Sequence, residues 1–394
     1  MPIDLYSGRA PSFVYDRRLL AACVSSAIGG ILISAFIHSP WSVPNIYSDI
    51  GSFWTRAWVS AGQIPYSTSA TFLEYPPISG LILYASRLIG GDYSGYYVTF
   101  TVISLFSAAI LGWSTWRLAG DLGVKLNPFY FILPTMVIYG VYNFDLFNAL
   151  FIVLSIQFFV ERRRNLSAVF LGLAVATKLV AIFLLPVFFF EVAGWDRRVR
   201  YLIVTVIAAA IPFVPIALAN PGFFGQFLSY YKGWGLEDAW YIWIFGNPFS
   251  SAAKVFGIII LIPLIIRVYT LKAPVVTRCF LALSVYFLTS YLYAPQFNVA
   301  LIPLVAILAL NTPALFSWEV FNAFIILTWF TVPQTPTSGP TYAWTVPQAM
   351  ALLRTASLAV LSVQVASLSG NSLILWIRGL VGLPSQTTLP TQTS

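Results

Sequence analysis

Charge is what this sequence has least of. Asp, Glu, Lys and Arg make up 9% of its 394 residues against 59% hydrophobic, where a soluble domain carries about 25% charged residues. No sizeable soluble domain fits, because apolar windows long enough for a hydrocarbon core of about 30 Å recur along almost the whole chain. Strict apolar/polar alternation is also missing. Unbroken runs such as 201–219 and 255–266 suit helices that are apolar all round, which excludes an outer-membrane barrel. The single histidine, His38, excludes histidine-based metal clusters, and Cys23 and Cys279 sit in apolar runs without CxxC spacing, where they read as packing residues. There is no Walker loop, GxGxxG, HExxH or Ser-His-Asp set, which argues against soluble-cofactor chemistry.

What is present is the pattern of an all-α polytopic membrane protein. The formal charge is +8, but the basic residues fall in short clusters between apolar runs: Arg17/Arg18, Arg117/Lys125, Arg162–Arg164, Arg197/Arg198/Arg200 and Arg267/Lys272. The positive-inside rule puts them on the cytoplasmic side, so topology rather than nucleic acid accounts for them. Spans are then expected near 19–37, 95–116, 127–141, 144–160, 166–178, 180–193, 201–219, 248–268, 275–292, 296–310, 319–333 and 347–368, about twelve in all. The first apolar run lacks a cleavage signal and reads as a retained helix. Parity holds only if Pro76–Gly90 does not cross, and at about 14 residues it is short for a span, so it reads as an interfacial helix. The domain plan is a cytoplasmic N-terminus over 1–18, a transmembrane domain over 19–368 with external loops 38–94 and 220–247, and a C-terminal part over 369–394. That last part holds an interfacial helix near 371–383 and a disordered tail.

The polar motifs all come out at external helix ends. Asp49, in "YSDIG", is either the N-cap of a helix over 50–61 or a general base beside an aromatic, basic surface (Arg56) and the Glu74-Tyr75-Pro-Pro corner. Asp145, in "YNFD" after Asn143, either favours a helix N-terminus or faces an interior cavity. Glu237 and Asp238, in "YYKGWGLEDAWYIW" with Lys232, Trp234 and Trp240, are either solvated loop acids or part of an aromatic cleft suited to a sugar. Gln296 lies in "YAPQF". Lys178 and Arg354 are isolated cations in apolar runs, so each calls for a partner: a tertiary carboxylate, Asp145 first for Lys178, or a lipid phosphate, although Lys178 at a helix break also suits snorkelling.

The order "YSDIG", "AGQIPYSTSATFLEYPP" and "YNFDLFNALFIVLSIQFFVERRRNLSAVFLGLAVATKLVAIFLLP", with echoes in "GWGLEDAWYIW" and "YAPQFNVALIPL", resembles the integral-membrane glycosyltransferases of the C superfamily. It is most similar to the polyprenol-phosphate-mannose-dependent mannosyltransferases of glycosyltransferase family 87, with the GPI mannosyltransferase I group a near relative. The similarity covers about 46–186. It implies the GT-C fold and a base at Asp49 acting on the acceptor hydroxyl, with Asn143, Asp145 and Lys178 at matching motif positions. Relatives of the GPI type carry Asp-x-Asp at the first site, whereas Gly51 stands here in place of the second acid, so no metal site is assigned and a divalent cation stays open.

Residues and resemblance together lead to the expectation of a hexosyltransferase, most simply a mannosyltransferase. It would take its sugar from a polyprenyl-phosphate donor to a glycolipid or glycan acceptor on the non-cytoplasmic face, with inversion. Lys178, Arg354 or Lys232 would offset charge on the leaving phosphate. Membrane lipids are the expected surroundings and no nucleic acid is expected as a partner. A secondary transporter, or a flippase or scaffold for lipid-linked sugars, is the alternative; the first should show inverted repeats, of which none is visible, and the second needs no base.

Overall fold

The computed structural model describes residues 16–335 and 338–368; the expected interfacial helix near 371–383 and the tail lie outside the described residues. Within them every regular element is helical, and the only β pairing is two isolated bridges. Among the described residues, five helices are long and apolar enough to cross a membrane: Arg17–His38, Tyr93–Leu122, Trp195–Ala219, Ser251–Thr270 and Val346–Ser367. These are the helices of an α-helical membrane protein. Trp195–Ala219 and Ser251–Thr270 leave Ile207, Ile211, Leu218, Ile258, Ile259 and Ile262 more than half exposed, as helix faces turned to hydrocarbon do.

The other apolar runs form shorter helices, and the chemistry of their breaks is visible. Proline cannot donate a backbone hydrogen bond and clashes with the preceding turn. The run expected as one helix over 127–141 is accordingly split into a 3-10 turn, Pro128–Ile132, and a helix starting at Pro134. The run at 296–310 likewise becomes a 3-10 turn from Pro295 and a helix containing Pro303, and 180–193 begins as 3-10 before the Leu185–Glu191 helix. Pro77–Gly90 forms the expected 14-residue helix, with proline at its first turn, and packs against Tyr93–Leu122.

The first loop differs from the expectation of a continuous helix over 50–61. It folds as two short helices, Asp49–Phe53 and Ala57–Ser60, and the N-cap of the first is Ser48, whose hydroxyl accepts from the Gly51 amide at 3.1 Å. With the cap supplied by Ser48, the Asp49 side chain is not needed for it. The loop is anchored at several points. Both ring nitrogens of His38 meet backbone carbonyls, of Ile46 at 2.8 Å and of Ile138 at 2.5 Å. The Ile50 amide donates to the Tyr142 carbonyl at 3.2 Å, and the buried Tyr96 hydroxyl donates to the Ile50 carbonyl. Farther along, the Tyr66 hydroxyl donates to the carbonyls of Tyr75 and Pro76 and so fixes the Tyr-Pro-Pro corner. Gly80 makes this possible: a Cβ there would stand 2.4 Å from the Tyr66 ring.

Candidate active site

These anchors arrange one cavity of about 640 Å³, within the range of ligand pockets. Asp49, Arg56, Glu74, Tyr75, Lys178, Trp234, Glu237, Asp238 and Gln296 all line it. Four segments far apart in sequence thus contribute to the walls of one space: the first loop, the Lys178 break, the 230–238 turn and the 291–297 turn.

Asp49 is the most closely supported group. Its Oδ1 accepts from the Tyr47 hydroxyl at 3.1 Å, and its Oδ2 accepts from Asn143 Nδ2 at 2.6 Å and from the Tyr75 hydroxyl at 3.3 Å. Asn143 is itself oriented, because its Oδ1 accepts from the Phe144 amide and its Nδ2 also donates to the Tyr75 hydroxyl. Burial pushes the Asp49 carboxyl up to about 7; the bond from Tyr47 works against this, the charges of Glu74 and Glu237 add to it, and Lys178 opposes it. A carboxyl poised near neutrality in a cavity has the properties of a general base.

The opposing features are ionic and aromatic. Arg56 and Glu74 form a bidentate pair at 2.7 and 2.6 Å, and the Tyr231 hydroxyl holds the Glu74 carbonyl. Lys178 caps the Arg164–Thr177 helix in an extended conformation, donates to Asp145 Oδ1 at 2.6 Å and lies over the Phe297 ring. Asp145 opens the Asp145–Val160 helix, and 1% exposed it stands behind Lys178 rather than in the cavity wall. The ammonium thus has Asp145 as a tertiary partner and does not snorkel.

Glu237 and Asp238 are not solvated loop acids. Glu237 forms an isolated bridge to the 291–293 segment, in which the Glu237 amide donates to the Tyr291 carbonyl and the Tyr293 amide to the Glu237 carbonyl, each at 2.9 Å. Its Oε2 accepts from the Trp234 indole at 2.9 Å. Asp238 is buried at a left-handed φ of 54°, with Oδ1 accepting from Gln348 Nε2 at 3.0 Å. Burial pushes both carboxyls up; the charge of Asp238 adds to the rise at Glu237, and Arg354 restrains it at Asp238.

Besides Asn143 and Asp145, which stand behind Asp49 and Lys178, three expected site residues lie outside the cavity lining. Arg354, expected as a phosphate ligand, is fully buried outside the cavity lining. Its Nη2 donates to the carbonyls of Tyr293 and Asp238, its Nη1 to Asn322 Oδ1, and its guanidinium stacks 3.6 Å from the Tyr293 ring centre. Protein groups thus engage both Nη atoms, while the buried Nε has no partner among the described residues and does not reach the cavity lining. Lys232 is exposed and outside the lining, and the Trp240 indole donates to the Leu288 carbonyl in a separate apolar cluster. Sequence reasoning missed Tyr47, Tyr230 and Gln348. Tyr47 was within reach, two residues before Asp49; Gln348 carried no local signal.

Among the described residues no group of three His, Cys, Asp or Glu side chains is arranged to hold a metal ion. No family model matches the chain, and no curated protein is significantly similar to it.

Proposed function

We propose that the protein is a membrane-embedded hexosyltransferase with the GT-C fold and about twelve crossings. It would use a polyprenyl-phosphate sugar, most simply mannose, as donor, and its cavity would open on the non-cytoplasmic face. The observation that carries this reading is the Asp49 carboxylate, held by three donors at the wall of a cavity that also contains acids, a paired lysine and aromatic rings. Leu179 and Phe330 line the same cavity and are 45% and 60% exposed, which gives it apolar flanks for a lipid carrier.

In this mechanism Asp49 takes the proton of an acceptor hydroxyl. The acceptor oxygen bonds to the anomeric carbon on the face opposite the phosphate, the bond from that carbon to the phosphate oxygen breaks, and the polyprenyl phosphate leaves with the electron pair. The transition state is oxocarbenium-like, and attack from the opposite face inverts the centre. Lys178 is the cation in the wall nearest to this role, with Arg56 the second. The test is incubation of purified protein with radiolabelled polyprenyl-phosphate mannose and membrane lipid extract. Label should move to a lipid or glycan product, and Asp49→Asn should lower transfer by about 10²–10⁴-fold with the melting curve retained. No transfer by the wild type, or more than about a tenth of its turnover in Asp49→Asn, refutes the reading.

A further inference from the structure

The 230–238 wall carries acceptors that the protein leaves unfilled. Glu237 uses Oε2 for the Trp234 indole, and among the described residues no donor meets its Oε1. Asp238 uses Oδ1 for Gln348, and its Oδ2 is buried without a partner. A carboxylate is acceptor-only when ionised, and an unfilled buried acceptor forgoes hydrogen bonds it would make in water. Yet this segment is heavily built. The Glu237–Leu292 bridge, Gln348, and Arg354 on the Asp238 carbonyl hold it from three directions, in a left-handed conformation uncommon for a residue other than glycine. Such support suits a ligand-facing turn better than a loop that only connects helices.

Next to these oxygens lie flat apolar faces. Trp234 and Tyr230 both line the cavity and lean on each other with ring centres 5.1 Å apart, and Lys254 fixes the turn by donating to the carbonyls of Trp234 and Lys232. Free acceptors beside an aromatic face match a pyranose, which presents hydroxyl donors at its rim and C–H groups on its faces.

We propose that Glu237, backed by Asp238 and flanked by Trp234 and Tyr230, forms the subsite for the hydroxyls of the transferred hexose, in the cavity that Asp49 also lines. This rests on the transferase reading and divides its cavity: the Asp49 wall receives the acceptor hydroxyl, and the Glu237 wall holds the donor sugar. Arg354 and Gln348 are positioning residues for that wall.

The experiment compares equilibrium binding of polyprenyl-phosphate mannose and bare polyprenyl phosphate to the full-length protein in nanodiscs, with EDTA present, for the wild type, Glu237→Gln and Asp238→Asn. The wild type should prefer the sugar-bearing lipid by about tenfold or more, the scale of hydrogen bonds to a charged group. Glu237→Gln should remove most of that preference while leaving the affinity for bare polyprenyl phosphate within about twofold. Asp238→Asn should act in the same direction, and if it does not fold, Glu237→Gln decides alone. An unchanged preference in a folded Glu237→Gln variant overturns the subsite while leaving the transferase reading intact. Preference that appears only when divalent cation replaces EDTA also overturns it, since the acids would then be metal ligands. Binding of neither lipid by the wild type overturns the transferase reading and the subsite with it.

Discussion

Removing either partner of the Lys178–Asp145 pair should damage the protein more than removing both. The ammonium and carboxylate meet at 2.6 Å with side-chain exposures of 7% and 2%. At that separation their attraction is about 6 kcal/mol for an effective dielectric constant near 20. Desolvating each ion costs several kcal/mol, so the pair as a whole sits near break-even. A single neutral substitution changes this balance, because the remaining charge keeps its desolvation cost and loses its partner, a penalty of about 3–5 kcal/mol. Asp145 is especially dependent, since its Oδ2 already has no partner. Lys178→Met and Asp145→Asn should therefore each lower the melting temperature in detergent by roughly 3–10 °C, given that each kcal/mol shifts the midpoint less in longer chains. The double variant should recover at least half of the summed loss, a coupling of about 3 kcal/mol or more. Additive losses would show that the two side chains do not stabilise each other. Unchanged melting in Lys178→Met with a raised donor Michaelis constant would make Lys178 a substrate ligand first.

Five further outcomes are expected. With a folded-state value of about 7 for Asp49, transfer should rise with pH, reach half its plateau near pH 7 and level off above about 8; a flat profile between pH 5 and 8 removes Asp49 as the titrating base. Because that value lies above the ordinary 3.8, the folded state binds the proton more tightly than the unfolded chain, so wild-type stability should fall relative to Asp49→Asn as pH rises from about 4 to 7, which melting curves will read. Gly80→Ala forces the Tyr66 ring off the Tyr-Pro-Pro corner and should cost about 1–3 kcal/mol in stability together with transfer activity; a fully active, equally stable variant would contradict the packing. Arg354→Gln should lower the melting temperature markedly, as loss of a buried hydrogen-bonded cation does, and single cysteines at Ser94 and Asn165 should label from opposite sides of sealed vesicles. Unaltered melting, or labelling from one side, counts against each in turn.

Helices and polar segments were legible in the sequence for different reasons. Apolar length marks a membrane helix wherever it occurs, so Ser251–Thr270 was foreseeable to within three residues at each end, while Tyr93–Leu122 runs six residues past the expected end at 116. The broken runs were less so, because a single proline such as Pro134 or Pro303 decides between one helix and a helix with a 3-10 entry, and propensity alone does not say how the freed carbonyls are satisfied. At Asp49 the sequence allowed a cap or a base; the backbone gives the cap to Ser48, which leaves the Asp49 carboxyl free of that duty.

Arg354 marks the limit of reading charge along a chain. An arginine alone in an apolar helix asks for an anion, and a lipid phosphate is the anion a sequence reader thinks of first. The fold answers with carbonyl oxygens instead: those of Asp238 and Tyr293, presented by two turns that have no helical ladder to occupy them. Irregular backbone buried in the protein must find its donors there, and Nη2 of the guanidinium supplies both. The same requirement that makes Arg354 unavailable to substrate is what holds Glu237 and Asp238 in the cavity wall. Its contribution to function, in this account, passes through the geometry of those acids.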